Sequence, residues 1–81
     1  MEMKHAILAT VIDVKRECAD AVVVLLESDE LKKGRKVVST GLNCEQSRKS
    51  VESVLKVTCK GNPRAEPGDK VPVVVKCDDD C

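Results

Sequence analysis

Apolar and polar residues alternate along the first part of the chain, which is the pattern of a half-buried β-strand. The segment 6–15 follows this alternation, and a polar break of hairpin length at 16–20 separates it from a continuous apolar run at 21–26. An unbroken apolar run of this kind predicts a strand that is covered on both faces. The first strand is expected to carry Leu8, Thr10, Ile12 and Val14 on one face, and Ala9 and Val11 on the other.

Later segments predict further strands at 36–39, 51–59 and 70–76, each containing valine. A glycine-containing turn precedes two of them: Leu31-Lys32-Lys33-Gly34 comes before the first, and Ala65-Glu66-Pro67-Gly68-Asp69 comes before the last. Turns of this kind, placed directly before β-branched strands, are typical of small antiparallel barrels. The stretch between the first two of these strands is interpreted as a loop followed by a polar segment.

Two segments also allow a helical interpretation, which would give a βαβαβ order. In 45–59 apolar residues recur at helical spacing, and 17–33 could form a second helix. However, Val22-Val23-Val24 is an unfavourable helix interior, because β-branched side chains lose rotamer freedom there. The end of the later segment also alternates at period two. We therefore predict an all-β fold.

The length of the chain, 81 residues, leaves room for one domain, 1–81, with a thin hydrophobic core. That core must be aliphatic, because the sequence contains no Phe, Tyr or Trp. The missing aromatics also restrict function, since single-stranded nucleic acid is usually bound by stacking its bases on aromatic rings. Any nucleic-acid binding is therefore expected to depend mainly on the charge of the phosphate backbone.

Charge is unevenly distributed in a chain whose formal net charge is zero. Residues 31–64 contain nine basic residues against two acidic ones, a local charge of +7, whereas both ends are acidic. A basic middle region attracts phosphate, while acidic ends limit non-specific binding. A solvated polar surface is the simpler interpretation of the same pattern.

The order of turns and strands resembles that of one family. Its L-K-x-G-D turn, V-x-S-[IM] strand and A-x-x-G-D-x-V strand opening are similar to Leu31-Lys32-Lys33-Gly34, Lys49-Ser50-Val51-Glu52-Ser53 and Ala65-Glu66-Pro67-Gly68-Asp69-Lys70-Val71. The chain resembles the second domain of translation GTPases of the elongation factor Tu type, and still more closely the short stand-alone translation elongation factor-like proteins. The resemblance covers most of the chain, residues 9–76.

The chain departs from the family pattern at several points. Arg35 stands where the family usually has Asp, and Pro72 stands where it has Gly. Because proline cannot donate a ladder hydrogen bond, Pro72 is expected at a sheet edge or a bulge. The segment 56–64 is longer than usual, and the chain stops at Cys81 where the family continues into a final strand. The barrel is therefore expected to close differently or to stay partly open.

The resemblance implies a six-stranded Greek-key barrel that binds without catalysis or a cofactor. In the full-length GTPases this module contacts ribosomal RNA and the acceptor end of transfer RNA. The implied partner is therefore ribosomal RNA, transfer RNA or a ribosome-associated protein. The candidate RNA-binding residues form one basic rim if the third and fourth strands pair: Lys32, Lys33, Arg35, Lys36, Arg48 and Lys49. A protein-interaction module with a valine-rich face or an open strand edge is the alternative.

The five cysteines leave a metal- or redox-responsive thiol domain as a third hypothesis. A four-thiolate metal site would use Cys44, Cys59, Cys77 and Cys81, although the sequence contains no Cys-x-x-Cys motif. Cys59 is expected to be a small buried hydrophobic residue rather than half of a disulfide. The segment 77–81 is expected to be a flexible acidic tail with exposed thiols.

Catalytic chemistry is not expected from this sequence. His5 is the only histidine, so no Ser-His or Cys-His arrangement with a third supporting group is available. Its segment is similar to the phosphocarrier loop of sugar phosphotransferase systems, but Ile7 and Leu8 replace the Arg and Pro of that loop. A frayed, solvated end is expected instead. No apolar run approaches the ~18 residues of a membrane span, and the start lacks a signal-peptide layout, so a cytoplasmic protein is expected.

Overall fold

The computed structural model describes residues 3–18, 20–33, 36–61 and 63–77. Within these ranges the chain forms six β-strands and one short 3₁₀ helix, without an α-helix. The strands are β1 (Met3–Cys18), β2 (Ala21–Glu27), β3 (Lys36–Thr40), β4 (Glu45–Val51), β5 (Val54–Lys60) and β6 (Lys70–Cys77), and the 3₁₀ helix is Asp29–Lys33. The all-β prediction is confirmed, and the helical interpretation of 17–33 and 45–59 is wrong.

The six strands form one antiparallel sheet in the order β3-β6-β1-β2-β5-β4. The sheet curls into a nearly closed barrel, and the one unsealed seam lies between its two edge strands, β3 and β4. Around the barrel β3, β4 and β5 follow one another and β6 returns beside β3, which is Greek-key order. The predicted Greek-key barrel that stays partly open is confirmed.

Strand β1 is long enough to pair with two different strands along its length. Its first part pairs with β6 up to Thr10, and its second part pairs with β2 from Thr10 onward. A register shift between Val11 and Asp13 marks a β-bulge at Ile12. A bulge bends a strand and shifts the alternation of its side chains by one residue. The bulge therefore lets one strand belong to both halves of the barrel.

The bulge also corrects the predicted faces of β1. Ala9 and Val11 are fully buried before the bulge, while Leu8 is 66% exposed and Ile12 is 42% exposed. After the bulge, Val14 packs against the core. Grouping Val14 with Leu8 on one face is wrong, because the extra residue moves every later side chain to the other face.

The buried core of the described residues is aliphatic except for one cysteine, and it lies inside the barrel. Successive side chains of a strand point to opposite faces, so alternate residues of β2, β5 and β6 supply most of it. The cluster consists of Ala9, Val11, Val22, Val24, Leu26, Leu31, Leu42, Leu55, Val57, Cys59, Val71, Val73 and Val75. Val23 points to the opposite face of the strand and is nevertheless buried, with 5% of its surface exposed. Ala21 and Leu25 on that second face are half-buried, so the prediction that 21–26 is covered on both faces holds at Val23 and not along the whole segment.

The segment 45–60 is a β-hairpin and not the single strand at 51–59 that the sequence predicts. Strands β4 and β5 pair along their whole length and turn at Glu52 and Ser53. The polar composition of β4 conceals the strand, because side chains 47–51 are exposed and require no apolar alternation. Glu52 has a φ of 55°, a left-handed conformation that suits a two-residue hairpin turn. This conformation is unfavourable for residues other than glycine.

The turn before β6 has the structure that its residues predict. Pro67 and Gly68 are the two central residues of a β-turn in which Asp69 N–H donates a hydrogen bond of 3.0 Å to Glu66 O. Gly68 has a φ of 97°, which a type II turn requires at this position. The turn also extends the pairing with β1, since Gly68 N donates to Val11 O and Val11 N donates to Asp69 O, both at 2.8 Å. Residues 31–33 of the earlier predicted turn lie in the 3₁₀ helix, and Gly34 lies outside the described residues.

Pro72 lies within β6, which has β1 and β3 as neighbours, and at this position β6 forms a local edge toward β3. The ladder between β6 and β3 ends at the pair Val73–Thr40. On this side the carbonyl oxygen of Pro72 accepts a hydrogen bond from Gly41 N. Both backbone groups of a residue in an antiparallel pair point to the same neighbour. The backbone nitrogen of Pro72 therefore points toward β3, where the ladder has already ended. Its lack of an N–H costs no ladder hydrogen bond.

Candidate functional site

Three lysines lie side by side on the outer face of β1, β3 and β6. Lys76 of β6 is the register partner of both Lys4 on β1 and Lys36 on β3. Register partners project to the same face, and this is the outer face because Val75, the neighbour of Lys76, is fully buried. Adjacent strands are about 4.8 Å apart, which brings the three side chains close together. We call Lys4, Lys36 and Lys76 the lysine row.

The lysine row concentrates positive charge on one part of the outer face. Like charges placed directly opposite on neighbouring strands destabilise a sheet. The same sheet shows the favourable arrangement elsewhere, since Glu45 lies opposite Lys60 in the β4–β5 pair. The three ammonium groups of the row would attract an anionic ligand.

A second pair of opposed lysines lies on the β4–β5 hairpin. Lys49 and Lys56 are register partners, and both are exposed. Arg48 lies on the other face of β4, where its Nη1 donates a hydrogen bond of 3.2 Å to Gln46 Oε1. The two consecutive basic residues of β4 therefore point to opposite sides of the strand.

The six cations predicted to form one basic rim are divided by the structure. Lys32 and Lys33 lie in the 3₁₀ helix, and Arg35 lies outside the described residues. Strands β3 and β4 stand on either side of the unsealed seam and do not pair, so no ladder joins Lys36 to residues 48–49. RNA binding by these residues stays a prediction.

Sequence reasoning missed Lys4, Lys56 and Lys76. Alternation places Lys76 in the polar phase of β6, opposite to Val73 and Val75, and this is the one signal available for it. Alternation does not show which strands are neighbours, however. The lysine row becomes visible when the pairing of β6 with both β1 and β3 is known.

The outer face of β1 and β6 is apolar just beyond the lysine row. This apolar strip consists of Ala6, Leu8, Pro72 and Val74, paired Ala6–Val74 and Leu8–Pro72. Leu8 is the most exposed of the large hydrophobic side chains recorded for the barrel, at 66%. At the far end of the strip, Lys70 Nζ donates a hydrogen bond of 2.6 Å to Thr10 Oγ1. Lysines therefore border the apolar strip at both ends.

Cys44 and Cys59 form a disulfide, with their Cα atoms 5.5 Å apart. Cys59 is buried in the core as predicted, but the expectation that it is not half of a disulfide is wrong. The two residues approach because Cys44 lies two positions before Gln46, the register partner of Cys59. A disulfide sulfur is not a thiolate ligand, so Cys44 and Cys59 cannot serve the alternative four-thiolate metal site while the bond is present, and Cys81 lies outside the described residues. The ranges described here contain no group of three potential metal ligands.

The two chain ends also differ from expectation. Cys77 is the last residue of β6 and pairs with Met3, so the predicted tail does not begin at residue 77. Residues 78–81 lie outside the described residues. His5 is half-buried and pairs with Val75, so the expected frayed end is wrong at this position. The cause is the same in both cases, because β1 and β6 support each other as neighbouring strands.

A cleft of about 400 Å³ lies where the loop 41–43 meets the segment that leads into β6. Arg64, Asp69 and Lys70 supply its charged groups. Asp69 Oδ2 already accepts a hydrogen bond of 3.1 Å from Glu66 N, and Lys70 is bonded to β1. The volume suits a small molecule, but all three charged residues are exposed, so their arrangement defines no particular ligand.

Comparison with known proteins adds no identity. No protein-family model, curated protein or solved structure matches the chain. The resemblance to elongation factor-like proteins stays a prediction, because a shared barrel architecture does not establish a function. In the part of the chain that the structure describes, no helix has the length and apolar character to cross a membrane.

Proposed function

We propose that this protein is a non-catalytic RNA-binding module that contacts the phosphate backbone through the lysine row. The proposal is supported by the placement of Lys4 and Lys36 on either side of Lys76, which concentrates positive charge on one part of the outer face. Phosphates present closely spaced negative charges to such a row. The absence of Phe, Tyr and Trp removes the side chains on which bases usually stack, so binding is expected to depend weakly on RNA sequence.

Binding of this kind has a defined dependence on salt. Each lysine that neutralises a phosphate releases condensed counterions, and the slope of log K against log salt is about −0.7 per contact for single strands and about −0.9 for duplexes. Three contacts predict a slope of about −2 to −3 from the lysine row. Contacts to Lys49 and Lys56 would steepen it further.

The test compares two variants that lose the same charge at different positions of the barrel. The row variant carries K4Q, K36Q and K76Q, and the matched control carries K15Q, K60Q and K70Q. Fluorescence anisotropy with a labelled RNA hairpin and a labelled single strand gives the affinity from low to high salt. We expect the row variant to lose most of the affinity and to reduce the magnitude of the slope by about 2 to 3, while the control retains most of both. Equal losses in the two variants, or no measurable binding of the unaltered protein at low salt, would contradict the proposal.

Ribosomal and transfer RNA are the partners that the family resemblance implies, so a ribosomal RNA hairpin and a transfer RNA acceptor stem are the first probes. A ribosome-associated protein is the alternative partner. Pairing of β4 with β4 of a second copy is disfavoured, because the edge carries Arg48 and Lys49 and like charges oppose strand addition. Sedimentation distinguishes this case: a concentration-dependent dimer that the K4Q, K36Q and K76Q changes leave intact would favour the interaction module.

A further inference from the structure

The loop that crosses the unsealed seam from β3 to β4 is attached to a neighbouring strand at each of its two ends. We call residues 41–44 the seam loop. Its first residue is tied to β6, because Gly41 N donates a hydrogen bond of 2.7 Å to Pro72 O. Its last residue is tied to β5 by the disulfide between Cys44 and Cys59. The seam loop therefore has one attachment to each half of the sheet.

Gln46 supports the seam loop from the start of β4. Its Nε2 donates hydrogen bonds to Leu42 O at 3.2 Å and to Cys44 O at 3.4 Å. Its Oε1 accepts a hydrogen bond of 2.6 Å from Thr40 Oγ1, across the seam. All of these bonds require Cys44 and Gln46 to stay in place beside β5. The disulfide holds the first of these two residues covalently.

Strand β4 beyond Gln46 is weakly attached. Among the described residues it pairs with β5 and with no other strand. Its side chains at 47–51 are exposed, so they add no buried apolar contacts. A segment with one neighbour and few buried contacts belongs to the low-stability part of a structure. The attachment of β4 therefore depends strongly on the disulfide at its start.

We propose that the Cys44–Cys59 disulfide is a reversible redox latch on the seam. In the oxidised state it holds the seam loop and the start of β4 on the barrel, and reduction releases both. The two sulfurs differ in accessibility, since Cys59 is 0% exposed and Cys44 is half-buried. A reducing partner therefore reaches the sulfur of Cys44 and leaves Cys59 as the sulfur that is displaced.

The reducing partner is a dithiol of the type that protein oxidoreductases carry. One of its thiolates attacks Cys44 Sγ, forms a mixed disulfide and displaces the sulfur of Cys59, which then takes up a proton. The second thiol attacks the mixed disulfide and releases Cys44. Two electrons and two protons pass from the dithiol to the two cysteines, and the partner leaves as a disulfide.

The reduced state keeps the barrel and frees the seam loop. Cys59 remains in the core as a small apolar side chain, so the ladders among β6, β1, β2 and β5 are not interrupted. Cys44 becomes a thiol on the seam loop, which also forms one wall of the cleft next to β6. Loss of the latch therefore affects the seam and the cleft before it affects the rest of the sheet.

Hydrogen exchange followed by mass spectrometry tests the latch on the full chain, oxidised and then reduced with dithiothreitol. We expect amides in 41–51 to exchange roughly tenfold faster or more after reduction, and those of β1 and β6 to change less than about twofold. Reoxidation restores the protection. The variant Cys44→Ser exchanges fast in both conditions, whereas Cys18→Ser behaves like the unaltered protein.

Three results would overturn the latch. Alkylation of Cys44 and Cys59 before any reductant is added would show that the disulfide does not form. Unchanged exchange at 41–51 after complete reduction would show that the disulfide does not hold the seam. Equal acceleration in every strand would show that it stabilises the barrel as a whole. None of these readouts depends on RNA binding, so the latch and the proposed function fail separately.

Discussion

Gly41 lies so close to Pro72 that no side chain fits between them. The amide nitrogen of Gly41 donates a hydrogen bond of 2.7 Å to the carbonyl oxygen of Pro72. A Cβ atom added at position 41 would lie 2.6 Å from Pro72 Cγ and 2.8 Å from Pro72 Cδ. This contact carries the link between β3 and β6 past the end of their ladder, and it starts the loop that crosses the seam.

The variant Gly41→Ala is expected to lower the free energy of unfolding by about 1–3 kcal/mol, because the new methyl group overlaps the ring of Pro72. Urea denaturation monitored by circular dichroism measures the loss. In a Pro72→Ala background the same substitution should cost clearly less, since the ring atoms are gone. An equal cost in both backgrounds would show that the contact does not limit position 41.

Removing the disulfide through Cys44→Ser is expected to cost well under the ~3 kcal/mol that cross-linking 15 residues gives when it restricts the unfolded chain alone, because the released seam loop and β4 gain freedom in the folded state as well. Denaturation with and without reductant checks this value. Reductant should destabilise the unaltered protein by a similar amount and should leave the variant unchanged. A variant that still responds to reductant would point to a different pair of cysteines.

The hairpin turn between β4 and β5 contains a side chain in an unfavourable conformation. Because Glu52 has a φ of 55°, Glu52→Gly is expected to raise the free energy of unfolding by about 0.5–1 kcal/mol. Glu52→Val should lower it, since a β-branched residue tolerates this region poorly. Thermal denaturation of the three proteins should give the order Gly, Glu, Val. A reversed order would mean that the turn has another geometry.

The two faces of β1 and its neighbours are tested by a matched pair of leucines. Leu26→Ala removes a fully buried side chain and should cost about 2–5 kcal/mol. Leu8→Ala removes a side chain that is 66% exposed and should change stability by less than about 0.5 kcal/mol. Chemical denaturation of both variants is sufficient. A large cost at Leu8 would indicate that a partner or a second copy covers the apolar strip.

Single substitutions on the β4–β5 hairpin can turn a repulsive pair of opposed residues into an attractive one, and an attractive pair into a repulsive one. Lys49→Glu places an acid opposite Lys56 and should stabilise the barrel by about 0.2–1 kcal/mol. Lys60→Glu places an acid opposite Glu45 and should destabilise it. The difference between the two variants should shrink in high salt, because exposed charges are screened. A difference that salt leaves unchanged would not be electrostatic.

Local patterns predicted the parts of the fold that depend on neighbouring residues. The valine runs at 21–26 and 70–76 are strands, because β-branched side chains favour extended backbone. Pro67-Gly68 is a turn, because these two residues match the dihedral angles that a type II turn requires. Strand β4 was missed, because an exposed edge strand needs no apolar residues and so leaves no alternation to detect.

The chemistry of this chain lies in contacts between residues that are far apart in sequence. Lys4 and Lys36 both stand beside Lys76, and Cys44 meets Cys59, because the curled sheet brings particular strands together in a particular register. Alternation and turn residues are local properties, and they were enough for an aliphatic all-β barrel. Strand partners and register come from the packing of the whole sheet, where many weak contacts act together, so the lysine row and the latch appear once the barrel has folded.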